Sequence, residues 1–200
     1  MTTGKKDASV KFAQQVIKEG LDPLDAIDNS LIKGMTIVGE KYAAHQVFLP
    51  QVLLAADAMY GALDILLPLI PKEEPSKKET VVIGVVEGDV HDIGKNIVKA
   101  MLTAAGFKVH DLGKDVSDED FVKAIKRHHP NYLAMSTLMT PTMDSMKATV
   151  DAVVEAGLVG DFKMIIGGAP TSQEFADEIG ADLYAANAQE AVRKLKRSGK

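Results

Sequence analysis

The spacing of hydrophobic residues changes near residue 80. Before that point, apolar positions recur every three or four residues, the period of a helix that buries one face. The two series are Leu24, Ile27, Leu31, Met35, Val38 and Phe48, Val52, Ala55, Met59, Leu63, Leu66, Ile70. Asp22 and Pro23 supply an N-cap and a first helical position for the first series. Residues 7–70 are therefore predicted to form a small helical bundle with Met35, Phe48 and Met59 in its core.

Residues 71–79 interrupt the helical pattern. Their sequence, PKEEPSKKE, places two prolines among charged residues, a composition that is typical of a linker. We therefore predict a helical domain at residues 1–70, a linker at 71–79 and a second domain at 80–200.

Beyond residue 80, short apolar runs alternate with helical segments. Strands are predicted at 80–86, 107–113, 131–137, 163–168 and 181–186, and helices near 94–105, 118–129, 142–157, 172–179 and 188–198. Such alternation indicates a parallel sheet with helices on both faces. Ser117, Thr171 and Asn187 are predicted to cap helices. The fold class is α/β: an N-terminal helical bundle followed by a Rossmann-like, doubly wound, five-stranded parallel sheet.

Composition limits the partners that are expected. The 200-residue chain has a formal net charge of −5 with both signs interspersed, which argues against a nucleic-acid partner. It contains no cysteine, which excludes disulfides, thiolate metal sites and cysteine nucleophiles, and a cytoplasmic location is expected. We expect no apolar stretch of the roughly 18 residues that cross a bilayer, and therefore no membrane partner.

Polar residues follow three of the predicted strands. GDVHDIG begins at Gly88, STLMTPT at Ser136 and GGAP at Gly167. All three lie at carboxyl ends of strands, where ligands bind in open parallel sheets. Asp89 stands two positions before His91, so its carboxylate can hold one ring nitrogen and leave the other free as a metal ligand.

Other kinds of site have weaker support. The residues around Gly94 fit neither a phosphate loop, because Asn rather than Ser or Thr follows Lys95, nor a dinucleotide-binding G-x-G-x-x-G. A metal hydrolase could use Asp89, His91 and Asp92, but the other histidines suggest no complete ligand set. A Ser–His–Asp hydrolase lacks the G-x-S-x-G elbow. The plainest alternative is that His91 is an ordinary surface histidine.

Taken together, the three motifs resemble the cobalamin-binding signature of methionine synthase and of the corrinoid proteins of methyltransferase systems. The matching residues are Asp89-x-His91-x-x-Gly94, Ser136-x-Leu138 and Gly167-Gly168. In the helical half, GLDPLDAIDNSLIKGMTIVGEKY and FLPQVLLAADAM are similar to that family's helical cap. The resemblance extends from Ala8 to the end of the chain, although family members usually begin with one more helix.

This resemblance implies a cobalamin bound base-off and His-on, with His91 as the axial cobalt ligand and Gly94 giving a bulky ligand close access to the backbone. The sheet-domain residues that it places at the cofactor are Asp89, His91, Asp92, Ile93, Gly94, Ser136, Leu138, Thr140, Thr142, Gly167 and Gly168. The nucleotide tail would enter a channel in that domain. The helical domain would cover the upper face of the corrin with Met35, Val38, Phe48 and Leu49, which revises the core assignment of Phe48.

Thr142 stands where the family often has a serine that completes an Asp–His–Ser relay. A hydroxyl is retained, although its rotamers are more restricted. The resemblance therefore implies an Asp89–His91–Thr142 network. Such a network could take up a proton when the imidazole leaves cobalt, since histidine titrates near neutral pH.

The implied function is that of a corrinoid methyl carrier, which is not itself a catalyst. A substrate-specific methyltransferase would pass a methyl group to Co(I). A second methyltransferase, acting on tetrahydrofolate or coenzyme M, would take it from methyl-Co(III). A corrinoid reductive activase is a further expected partner, and the linker at 71–79 would act as the hinge of the cap.

Two alternatives would use the same cofactor. One is a cobalamin-sensing regulatory module, which would need an output domain for which the chain has no spare length. The other is the small subunit of a cobalamin-dependent mutase, and such subunits usually lack the helical half.

Overall fold

The computed structural model of the chain describes residues 6–70 and 79–198. The chain divides into two compact units, Met1–Pro71 and Lys72–Lys200, called here the helical region and the sheet region. Apart from Glu79, the predicted linker at 71–79 lies outside the described residues. Its role as a hinge therefore stays a prediction.

The helical region is a short bundle. Its elements are α1 (Lys6–Lys18), α2 (Pro23–Ala26), a π-helical segment (Ile27–Ile32), α3 (Lys33–Ala43), α4 (Leu49–Leu66) and a 3₁₀ turn (Leu67–Leu69). Asp22 caps α2 as predicted, because its carboxylate accepts a hydrogen bond of 2.8 Å from the backbone N–H of Leu24. The π-helical segment was not predicted, because the apolar spacing of three and four residues continues through it.

Helix α4 packs against α1 and α3. A Cβ atom at Gly61 of α4 would lie 3.1 Å from the side chain of Lys6, so the glycine allows α1 to approach closely. Met59 is 1% exposed, which confirms its predicted place in the core. The core assignment of Phe48 is wrong: its side chain is 65% exposed, because it stands before the first turn of α4.

The segment Leu49–Leu69 reaches a mean hydropathy of 1.7 and is long enough to cross a membrane by length and composition alone. The prediction that no apolar stretch is long enough is therefore wrong. Core helices of bundles pass the same test, and α4 buries Met59, Leu63 and Leu66. We therefore interpret α4 as the central helix of the bundle.

The sheet region alternates strands and helices. Its elements are β1 (Thr80–Val85), α5 (Ile93–Ala104), β2 (Lys108–Asp111), α6 (Asp118–His128), β3 (Tyr132–Ser136), α7 (Met143–Glu155), β4 (Lys163–Gly167), α8 (Gln173–Ile179), β5 (Leu183–Ala185) and α9 (Ala188–Ser198). The five strands are parallel in the order β2-β1-β3-β4-β5. This arrangement confirms the predicted Rossmann-like fold class.

Two apolar layers flank this sheet. Alternate residues of a strand point to opposite faces, so Val82 of β1 joins a cluster with residues of α6, α7 and α8. Its neighbour Val81 joins a cluster with residues of α5 and α9. A Cβ atom at Gly84 would lie 2.7 Å from the ring of Phe121, so this glycine admits the ring of α6 to the sheet.

The predicted helix caps are mostly confirmed. Ser117 and Asn187 each accept a hydrogen bond from the backbone N–H three residues later. The prediction for α8 is wrong, since Ser172 rather than Thr171 accepts the capping bond. Thr171 is buried, and its hydroxyl donates instead to the carbonyl oxygen of Gly168 at 2.8 Å.

Candidate functional site

The three motifs meet at one edge of the sheet. Val85 pairs with Ser136, Ser136 with Gly167, and Gly167 with Ala185. Because all these strands are parallel, the loops that follow β1, β3 and β4 leave the sheet at the same edge. The register therefore brings GDVHDIG, STLMTPT and GGAP together, although they are far apart in sequence.

The loop after β1 is held by the loop after β2. Val86 forms a bridge with Val116. The N–H of Gly88, which has a φ of +81°, donates to the Asp115 carboxylate at 2.8 Å. The N–H of Asp115 donates back to the carbonyl oxygen of Asp89 at 3.0 Å. These bonds fix the backbone that carries Asp89.

Asp89 directs the ring of His91. The Asp89 side chain is fully buried, whereas that of His91 is 47% exposed. Oδ1 of Asp89 accepts a bond from the His91 backbone N–H at 2.9 Å and lies 2.7 Å from Nδ1 of the ring. Nδ1 is thus engaged, and Nε2 is left as the nitrogen that can bind a ligand.

The other oxygen of Asp89 is anchored to the loop after β3. Oδ2 accepts hydrogen bonds from the backbone N–H of Leu138 at 2.6 Å and from the hydroxyl of Thr137 at 2.8 Å. Burial alone would raise the pKa of Asp89. The hydrogen bonds from Leu138, His91 and Thr137 together outweigh burial and hold this pKa below its ordinary value. Asp89 is therefore an ionised acceptor at neutral pH.

The network at Asp89 has a member that sequence reasoning missed. Thr142 was predicted to join Asp89 and His91, but its hydroxyl lies 2.5 Å from the hydroxyl of Thr137, which in turn bonds to Asp89. The link from Thr142 to Asp89 is therefore indirect, because Thr137 stands between them. The available signal was a second hydroxyl residue directly after Ser136 at the end of a strand.

Gly168 has a structural reason to be glycine. Its φ is +128°, and a Cβ atom there would lie 1.7 Å from the carbonyl oxygen of Thr137. A Cβ atom at Gly167 would lie 3.0 Å from the carbonyl oxygen of Ala185. The backbone at the end of β4 therefore lies directly against the backbone of Thr137. The predicted contact of Gly167 and Gly168 with the nucleotide tail of the cofactor stays a prediction.

The other predicted residues of the sheet region lie in or directly after the loops that follow β1 and β3. Gly94 is exposed, and a Cβ atom there would meet no atom within 4 Å. Leu138 is 51% exposed, and so is Val90, at 55%, which was not predicted. The remaining residues are Asp92 at the N-cap of α5, Ile93 as its first residue, and Thr140 at the start of a 3₁₀ turn. Open space at Gly94 and exposed apolar side chains thus occur on the same two loops as His91 and its partner Leu138.

The predicted residues of the helical region differ in exposure. Phe48 and Leu49 are 65% and 56% exposed. Val38 is 3% exposed and belongs to the core, whereas Met35 is half-buried. Phe48 and Leu49 therefore present exposed apolar surface, whereas Val38 of α3 packs in the core of the helical region.

A buried ion pair lies at the first turn of α5, the helix that follows the His91 loop in sequence. Lys95, in the first turn of α5, is 2% exposed, and its Nζ lies 2.5 Å from Oδ1 of Asp111. Lys99 and the N–H of Gly113 also donate to Asp111, each at 2.9 Å. Burial would raise the pKa of Asp111, but these partners lower it below its ordinary value. The pair ties the start of α5 to the end of β2.

The residues present fit a corrinoid. Among residues 6–70 and 79–198, no group of three or more His, Cys, Asp or Glu could hold a metal ion, whereas a bare zinc ion needs about three or four protein ligands. His91 offers one nitrogen. A single donor would suit a metal that brings its other ligands with it in a corrin macrocycle, and the open surface beside Gly94 would suit a bulky ligand.

Comparison with known proteins gives the same assignment. Residues 79–195 match a B12 binding domain, and residues 1–67 match a second B12 binding domain model. The chain is 46% identical to dimethylamine corrinoid protein 1 of Methanosarcina acetivorans over 97% of this chain and 91% of that protein. The monomethylamine corrinoid protein of Methanosarcina barkeri is 36% identical, with a TM-score of 0.88 over 95% of this chain and 94% of that one.

A third similarity involves a complex. The methanol:cobalamin methyltransferase complex of Methanosarcina barkeri contains a chain that is 37% identical, with a TM-score of 0.58 over 97% of this chain and 74% of that one. The extent of these matches shows that this chain belongs to the family of corrinoid proteins with a B12 binding domain.

Proposed function

We propose that the chain is a corrinoid methyl carrier in which Nε2 of His91 is the axial ligand of cobalt. The bound corrinoid supplies the methyl-transfer chemistry, and the protein supplies binding and orientation. One observation carries the proposal: a fully buried, multiply hydrogen-bonded Asp89 lies 2.7 Å from Nδ1 of a half-exposed His91 at the ligand-binding edge of a parallel sheet.

The role of Asp89 follows from its charge. An ionised carboxylate can only accept hydrogen bonds, so Nδ1 of His91 carries the hydrogen and Nε2 presents its lone pair. This tautomer is the one that can bind a metal through Nε2. Asp89 thus orients the ring and selects its tautomer before any ligand binds.

We also propose that the helical region covers the upper face of the corrin. Phe48 and Leu49 support this role, because adjacent large apolar side chains that stay exposed mark a binding surface. Met35 is half-buried and can contribute in part. Val38 contributes only from the core.

The proposed partners are two methyltransferases and a corrinoid reductive activase. The identity with the dimethylamine corrinoid protein and the TM-score with the monomethylamine protein favour a methylated amine as the donor. A second methyltransferase would pass the methyl group to tetrahydrofolate or coenzyme M. A cytoplasmic location fits the absence of cysteine from the sequence.

Reconstitution tests the proposed function. We expect the chain to retain one corrinoid through gel filtration and to accept a methyl group, followed in the visible spectrum, when a dimethylamine methyltransferase and dimethylamine are added. The same reaction with a methanol methyltransferase and methanol is run for comparison. His129→Asn is the matched control for His91→Ala. His129 is also an exposed histidine of the sheet region, with a φ of 42°. Failure to retain the corrinoid would reject the proposal.

A further inference from the structure

We propose that Thr137 is the positioning residue that holds Asp89 against His91, and that Thr142 acts on Asp89 only through Thr137. This inference rests on the proposed function, because it concerns the orientation of the imidazole that would bind cobalt. It goes beyond the Asp89–His91–Thr142 network that the family resemblance implied.

A count of hydroxyl hydrogens gives the direction of the network. The hydroxyl of Thr137 has one hydrogen, and the acceptor 2.8 Å away is the Asp89 carboxylate, so Thr137 donates to Asp89. With that hydrogen used, the hydroxyl of Thr142, 2.5 Å from that of Thr137, is the donor when the two hydroxyls share a bond. Its alternative acceptor is the carbonyl oxygen of Met139 at 2.9 Å. The chain of donors therefore runs from Thr142 through Thr137 to Asp89.

The segment that carries Thr137 is clamped in place. Thr137 is 2% exposed, and the backbone of Gly168 lies against its carbonyl oxygen. The next residue, Leu138, donates its N–H to the same oxygen of Asp89. One rigid segment thus supplies both donors to Oδ2, and this fixes the carboxylate plane so that Oδ1 faces Nδ1 of His91.

Removal of the Thr137 hydroxyl would leave one of these two donors. A lost hydrogen bond to a buried charged group is costly. Oδ2 would then be held by the Leu138 N–H alone, so the acceptor of the His91 ring would be less firmly fixed. Thr142 has a weaker hold on the site, because its hydrogen can serve the carbonyl of Met139 instead. Its contribution is to polarise the hydroxyl of Thr137.

Four variants of the full chain separate these roles. Thr137→Val keeps the shape of threonine without the hydroxyl, and Thr137→Ser keeps the hydroxyl without the methyl group. Thr142→Val removes the second hydroxyl, and the double valine variant closes a double-mutant cycle. Thr137→Ala replaces Thr137→Val if the valine variant does not fold, since it also lacks the hydroxyl and adds no bulk.

The first readout is the tautomer of His91 in the cofactor-free protein. Nitrogen NMR at mildly alkaline pH, assigned with His91→Ala, should show mainly the Nδ1–H form in the wild type, with a small share of the other form. We expect Thr137→Val to shift a several-fold larger share of the ring to the other form and Thr137→Ser to restore the wild-type signal. An unchanged tautomer in Thr137→Val would overturn the proposal, because packing alone would then explain Thr137.

The second readout is the axial histidine signal of the cobalt(II) form in reconstituted protein. We expect this signal to fall in the order wild type, Thr142→Val, Thr137→Val, with the double variant equal to Thr137→Val. Losses that add in the double variant would overturn the proposal, because Thr142 would then act independently of Thr137. A wild type without the axial signal would reject the proposed function instead, and the NMR result would still decide the role of Thr137.

Discussion

The two regions of the chain differ in what they leave exposed. The sheet region encloses apolar layers on both faces of its five strands. The helical region contains most of the large hydrophobic side chains that are exposed among the described residues: Ile17, Leu21, Ile32, Ile37, Tyr42, Phe48, Leu49, Leu53, Leu54 and Leu69. The sheet region thus keeps most of its large apolar side chains within its own layers, whereas the helical region presents many of them at its surface.

Buried polar groups show the opposite distribution. Among the described residues, the sheet region buries Asp89, Lys95, Thr137, Thr142, Thr149 and Thr171, and the helical region buries Ser9. Buried polar groups are costly unless they are hydrogen-bonded, and those around Asp89 bond to one another. The sheet region thus buries polar groups that hold one another, whereas the helical region leaves apolar side chains exposed.

The largest expected loss of stability comes from breaking the buried ion pair of the sheet region. Asp111→Asn should lower the free energy of unfolding by about 3–5 kcal/mol, because it leaves the ammonium of Lys95 buried without its charged partner. The control is Asp151→Asn, which breaks an exposed pair with Lys147 and should cost about 0–1 kcal/mol. Urea unfolding measures both. Equal losses would show that the buried pair has no special role.

The same pair predicts a pH dependence. The pKa of Asp111 is lowered in the folded chain, so its contribution is present above the ordinary value of 3.8 and is lost as the pH falls through the folded value. The wild type should therefore lose stability below about pH 4, and Asp111→Asn should lose less over the same range. Parallel curves of unfolding midpoint against pH would contradict this prediction.

In the helical region, a core residue and an exposed residue of α4 should behave differently. Leu63 is 1% exposed, and Leu63→Ala should cost about 3 kcal/mol. Leu53 is 61% exposed, and Leu53→Ala should change stability by less than about 0.5 kcal/mol. Amide hydrogen exchange in α1 and α4 reports local stability. Faster amide exchange in Leu53→Ala would contradict this prediction, because it would show that the exposed side chain also stabilises the bundle.

Phe48→Ala should change the stability of the cofactor-free protein by as little as Leu53→Ala, less than about 0.5 kcal/mol, because the ring is 65% exposed. If Phe48 covers the corrin, the reconstituted variant should reoxidise faster in air after reduction. Thermal unfolding of the apo-protein and the decay of the reduced spectrum measure the two effects. If Phe48→Ala destabilises the apo-protein and leaves the rate of reoxidation unchanged, Phe48 stabilises the fold and does not cover the corrin.

The strands and their class could be predicted from sequence because buried parallel strands read as short apolar runs between helices. The contact of Asp89 with His91 could be predicted because the two residues are close in sequence. The role of Thr137 could not, since it depends on the register of β3 beside β1 and on the approach of Gly168. The hydrophobic period alone wrongly placed Phe48 in the core, because that period does not show where a helix begins.

The coordination of cobalt by His91 is the central claim, and electron paramagnetic resonance of the reconstituted cobalt(II) form tests it most directly. The protein is prepared with ordinary and with ¹⁵N-labelled histidine. Coordination by His91 predicts axial triplets that become doublets on labelling and that disappear in His91→Ala but persist in His129→Asn. Triplets that stay unchanged on labelling would mean that the benzimidazole of the cofactor is bound instead, and would contradict the assignment of His91.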